Sequence, residues 1–150
     1  MPTAPLRSRV HKWVSERNPR QAALLRRLNV FANLVLAMIF IVVPLNSLLN
    51  VVETGPMGAE SSTFVKAMKD TGYLWTLLKL VEILAGLLAL AGWSPLSVLI
   101  LAPVVLNIFA FHLFLERSGL PLAVLILALE LFQAWRFRKY YAPLFKRHRS

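Results

Sequence analysis

An all-α, polytopic membrane protein built as a bundle of four transmembrane helices is the fold class this sequence predicts, and three observations predict it. Of its 150 residues, 57% are apolar and 16% charged, whereas soluble domains run at about 45–50% and about 25%. The apolar residues fall in long uncharged blocks. The 17 Lys and Arg, set against 7 Asp and Glu, crowd toward the two ends. This pattern argues against a water-soluble globule, a disordered chain and a secreted disulfide scaffold. With no cysteine there is no disulfide, thiolate nucleophile, Cys-ligated zinc or iron–sulfur cluster.

A hydrocarbon core of about 30 Å takes about 20 helical residues at ~1.5 Å rise each. Four blocks meet this requirement: 28–50, 73–91, 96–115 and 120–137. None alternates in the manner of a strand, so helices are the economical reading. The first block exceeds a typical signal-peptide core and no small-x-small cleavage site follows it, so it reads as an uncleaved anchor. Ser94 and Pro95 suit an N-cap and first turn for the third helix. The connection around Gly92 is so short that the second and third helices must be antiparallel neighbours. Residues 116–119 make a similar turn before the fourth, where Pro121 is tolerated in the first turn. Pro44 and Pro103 lie inside spans and are expected to kink them.

Basic residues set the orientation. Residues 1–27 hold seven Lys and Arg and one acid; residues 136–150 hold six and none. The loop over residues 51–70 has two Lys against three acids. Positive flanks stay inside, so both termini are expected on the cytoplasmic side, in agreement with an even number of spans. The same basic tails find their partners in anionic lipid head groups, without nucleic acid.

The chain then divides into a basic N-terminal segment (1–27), a membrane domain (28–137) and a basic tail (138–150). In the first, Leu6, Val10, Trp13 and Val14 share one face of an amphipathic helix suited to the inner leaflet. In the tail region Trp135, Phe137, Tyr140 and Tyr141 interleave with Arg136, Arg138 and Lys139 as an aromatic-basic belt. Phe64, Val65 and Met68 follow a Ser61–Ser62 cap, which suggests a short helix on the opposite surface.

The polar residues inside the spans are the candidate site. An ionised group at mid-membrane costs roughly 2.5–3.5 kcal/mol on insertion scales, so such groups face the bundle interior with partners. The second helix carries Lys79 and Glu82, the third Asn107, the fourth Glu130 and Gln133. Depths counted from the outer helix ends run from about 10 to about 16 Å, which places all but Gln133 in one layer. Trp75, Lys79, Glu82, Gly86, Ala89 and Trp93 follow steps of four and three, a single seam whose small residues admit another helix closely. Pro103, Asn107, Ala110 and Phe114 line up on the third helix, as do Ile126, Glu130 and Gln133 on the fourth. Two carboxylates share the layer with one ammonium, so one carboxyl lacks a counter-charge. The layer reads either as structural glue, with Lys79 and Glu82 neutralising each other three residues apart, or as a ligand, proton or quinone site. His112, near a helix end with Glu116 four residues on, reads as a satisfied interfacial histidine before a proton relay. Asn29, Asn33, Asn46 and Asn50 suit interhelical hydrogen bonds and end caps. No metal site, haem-ligating pair or catalytic constellation is expected.

Three stretches carry a resemblance: GYLWTLLKLVEILAGLLALAG from Gly72, PLSVLILAPVVLNIFAFHLFL from Pro95 and GLPLAVLILALELFQAWRFRKYYAPLF from Gly119. Together they cover residues 72–145. With their K-x-x-E, P-x-x-x-N-x-x-x-x-H and internal Glu elements in order, they resemble the DoxX family of small bacterial membrane proteins. The family's Gly-x-Asn-Lys element is replaced by Pro44-Leu45-Asn46-Ser47, without the basic residue. The resemblance implies a four-helix bundle with both termini inside. It also implies a role as a membrane subunit of an oxidoreductase assembly, such as thiosulfate:quinone oxidoreductase or a complex linking superoxide dismutase with a sulfurtransferase. Carried over by position, the functional residues are Lys79, Glu82, Asn107, His112 and Glu130.

The expectation is therefore a non-catalytic membrane subunit or anchor of an oxidoreductase partner, with quinone as the candidate ligand. The alternative is a carrier or channel for a small solute or proton using Lys79, Glu82 and Glu130, which at four spans would need homo-oligomers.

Overall fold

The computed structural model describes residues 19–52 and 55–145, and every described element is helical. The elements are α1 (Pro19–Leu49), α2 (Ala59–Asp70), α3 (Leu74–Leu90), α4 (Ser94–Phe114), a 3-10 turn (Arg117–Gly119), α5 (Leu120–Tyr141) and a second 3-10 turn (Ala142–Phe145). By contact the chain forms two compact units, residues 1–31 and 32–150. All the packing that follows belongs to the second. The amphipathic helix expected around Trp13 lies outside the described residues.

The four expected blocks reappear as α1, α3, α4 and α5. The first begins nine residues earlier than expected, at Pro19, because the helix runs on through the exposed Arg20, Arg26 and Arg27. Three helical segments, Arg20–Leu49, Ser94–Phe114 and Arg117–Tyr141, are long and apolar enough to cross a membrane. α3 has 17 residues and joins them if counted together with α2, from which it turns by 94°. The bend is built by Gly72 at φ 80° and by Thr71, whose hydroxyl accepts the Leu74 N–H at 3.1 Å.

A glycine also sets the turn from α3 to α4. Gly92 has φ 86°, a left-handed value that costs a residue without Cβ nothing. It donates to Ala89 O at 3.2 Å while Trp93 donates to Leu88 O at 2.8 Å, the paired bonds of a Schellman motif. The Trp93 carbonyl then accepts from Leu96 and Ser97, so the cap of α4 is Trp93 and Ser94 is the first helical residue. That corrects the expected Ser94 cap by one position. The helices continue past Pro44 in α1 and past Pro103 in α4.

The core joins Leu36 and Phe40 of α1, Ala85 of α3, Leu101, Val104 and Val105 of α4, and Ile126 of α5. Gly86 brings α1 against α3. A methyl group there would lie 2.7 Å from Ile41 Cγ1 and 3.1 Å from Ala37 O.

The distribution of polarity is inverted relative to a soluble domain. Glu82, Glu130, Gln133 and Ser97 are all at most 4% exposed. Meanwhile Leu77, Leu80, Leu84 and Leu87 of α3, Leu99 and Leu106 of α4, and Leu122, Leu125 and Leu131 of α5 are each about half exposed or more. Water would penalise that surface heavily. Hydrocarbon is the solvent in which it is stable.

Candidate functional site

The seam expected on α3 holds from Trp75 to Ala89. Trp75 and Lys79 are half-buried, and Glu82, Gly86 and Ala89 are buried. Trp93 falls outside the helix and is 63% exposed. One turn apart, Lys79 and Glu82 meet: the ammonium donates to both carboxylate oxygens at 3.0 Å. The Lys79 Nζ also stands 4.9 Å from the centre of the Trp75 ring, and Lys69, at the end of α2, stands 5.0 Å from the same ring. A line of charge and aromatic surface thus runs from the end of α2 to the buried Glu82.

On α5 the expected face is also buried: Ile126 at 4%, Glu130 at 4% and Gln133 at 0% exposure. Gln133 Nε2 makes a long contact of 3.4 Å to Asn33 Oδ1 on α1, and Asn33 Nδ2 donates to Ala89 O on α3 at 3.0 Å. Asn33 therefore ties three helices through one amide. Glu130 differs from all of these. Neither of its oxygens has a hydrogen-bond partner among the described residues, although it is as buried as Glu82.

Asn107 does not join the site. It lies on the exposed side of α4 with Pro103 and Phe114, Ala110 being half-buried. The buried side of α4 is Ser94, Ser97, Val98, Leu101, Val104 and Val105. There Ser97 Oγ donates to Ala85 O at 2.7 Å, a link the serines' spacing of three, with Leu101 four further on, could have revealed. Tyr141, on the last turn of α5, donates to Pro95 O at 2.8 Å and so closes the start of α4 against the end of α5.

His112 is half-buried beyond the layer. Its Nδ1 lies 2.9 Å from the Glu116 carbonyl oxygen, and its ring fills the space a side chain at Gly119 would need. The Glu116 carboxylate reaches elsewhere. It accepts from Gly58 N at 2.8 Å, Ser61 Oγ at 2.7 Å and Ser118 Oγ at 2.7 Å. These bonds, the Gly58 N–H foremost, hold its pKa down to about 2 from the ordinary 4.5. The start of α2 is consequently at Gly58 and Ala59, not at Ser61, and its capping anion comes from another segment. A carboxylate is favoured at that end of a helix.

The residues expected to form an aromatic-basic belt lie on the last turns of α5. Arg138 stacks on Trp135 with its guanidinium carbon 4.7 Å from the ring centre, and Arg136, Lys139 and Tyr140 are exposed. Asn46 holds the chain leaving α1 by a reciprocal pair of bonds to Val52, at 2.7 and 3.0 Å. Among the described residues no three His, Cys, Asp or Glu come together as a metal-ion site. Comparison with protein-family models, with curated proteins and with solved structures gives no match.

Proposed function

We propose that this chain is a four-span DoxX-like subunit of a bacterial inner membrane, with both termini cytoplasmic, that anchors an oxidoreductase partner and holds a quinone head group at its polar core. α3 serves as the fourth span. Its 17 residues give about 25 Å of helix, and Lys79 and Glu82 neutralise each other within it.

The Glu130 carboxyl, buried without a hydrogen-bond partner among the described residues, carries the reading. An ionised carboxylate in low dielectric without a partner is costly enough that the group takes up a proton or acquires a ligand. A neutral Glu130 can donate to a quinone carbonyl, and Gln133 lies one turn away on the same buried face. The chain has no cysteine and no intramembrane pair of histidines, so electrons come from a partner protein or a bound small molecule.

Mass spectrometry of lipid extracts from purified protein tests this. Quinone should copurify with the full chain and be lost with Glu130→Leu, and pull-down from solubilised membranes should return an oxidoreductase subunit. Finding neither a quinone nor such a subunit would refute the proposal.

A second reading is favoured by the Lys69–Trp75–Lys79–Glu82 line: carriage of a proton or small solute through an oligomer. It predicts pH-dependent flux in proteoliposomes that disappears with Glu82→Gln.

A further inference from the structure

The residue left over by the polar core is Asn107. It sits about 10 Å, or two turns, from the C-terminal end of α4, on the exposed side of a helix that is long and apolar enough to cross a membrane. It has no hydrogen-bond partner among the described residues. An amide facing hydrocarbon has no water to bond to, so its donors and acceptor are met only by another polar group brought to the same depth. The same stripe carries a second unmet group. Pro103, one turn earlier, has no N–H, so the carbonyl of Leu99 loses its helical donor, and Leu99 too is exposed.

We infer that two copies of this chain pair along the exposed face of α4, each Asn107 amide bonding to the partner's Asn107. A second copy fits better than an unrelated helix for two reasons. Copies inserted in the same orientation are related by a twofold axis along the membrane normal, which puts identical residues at identical depth. The carboxamide is self-complementary, since each side both donates and accepts, so one residue type satisfies both halves of the contact. Ala110, three residues on along the same stripe, lets the helix backbones come near, as small residues do between membrane helices. The inference rests on membrane insertion of α4 and is independent of any quinone at Glu130.

The absence of native cysteine makes single-cysteine cross-linking of the full chain in membranes the direct test. Phe114 is 75% exposed and seven residues from Asn107 on the same stripe. Leu122, at the same end of the helices but on α5, is 51% exposed. Under mild oxidation Phe114→Cys should give a disulfide dimer and Leu122→Cys at least fivefold less. Adding Asn107→Leu to Phe114→Cys should reduce the dimer at least fivefold, whereas Asn107→Gln, which restores an amide, should keep most of it. Equal yields from Phe114→Cys and Leu122→Cys would overturn the inference. So would an unchanged yield with Asn107→Leu, or a loss with Asn107→Gln as deep as with Asn107→Leu.

Discussion

At the scale of single residues, the two buried carboxylates are held in opposite ways, and this gives them opposite mutational signatures. Glu82 has its cation three residues away, gripped through both oxygens. Removing that cation with Lys79→Met leaves a buried charge unmatched and should cost about 3–5 kcal/mol, while Lys79→Met combined with Glu82→Leu should recover most of it. Detergent denaturation followed by circular dichroism distinguishes the two, and equal loss in the single and double variants would contradict the pairing. Glu130 has no hydrogen-bonding group to abandon among the described residues, so Glu130→Leu should leave the melting curve unchanged or raised while abolishing any bound quinone. Gly86 is the close-approach residue. Because the obstacles to a Cβ include the Ala37 backbone oxygen as well as Ile41, Gly86→Ala should cost about 1–3 kcal/mol by overpacking.

Individual helices are legible in the sequence to different depths. α3 and α5 announce their buried faces because each places two charged or amide residues three apart within an apolar run: Lys79 and Glu82, then Glu130 and Gln133. α4 does not. It is apolar nearly all round, so its few polar residues must decide its facing, and Asn107 is the wrong guide where Ser94 and Ser97 are the right one. The docking of α2 is not legible at all, since Glu116 lies 55 residues from Ser61 and no local spacing encodes that meeting. That dock has its own pH signature. A carboxylate held at about 2 instead of 4.5 contributes stability that is fully present above its ordinary value. The contribution is lost as pH falls from about 4.5 toward 2. Trypsin cleavage after Lys66 and Lys69 should therefore be several-fold faster in Glu116→Ala than in the unaltered chain at pH 7. If the two rates match, Glu116 does not hold α2.

The whole molecule follows from one energetic asymmetry: hydrophilic side chains inside, leucines outside. Composition and block length alone carry this feature, because they are sums over about twenty residues per span and do not depend on any one contact. The contacts that finish the core, from Ser97 to Ala85 and from Tyr141 to Pro95, depend on which helices become neighbours. The most direct test is the collision rate of nitroxides attached to single cysteines at Leu84 on α3 and at Leu125 and Leu131 on α5, each about half exposed or more, in reconstituted bilayers. All three should collide readily with oxygen, which concentrates in hydrocarbon, and hardly with a water-soluble nickel chelate. Ready collision with the chelate at these sites would mean that water surrounds the helices, and the account would be wrong.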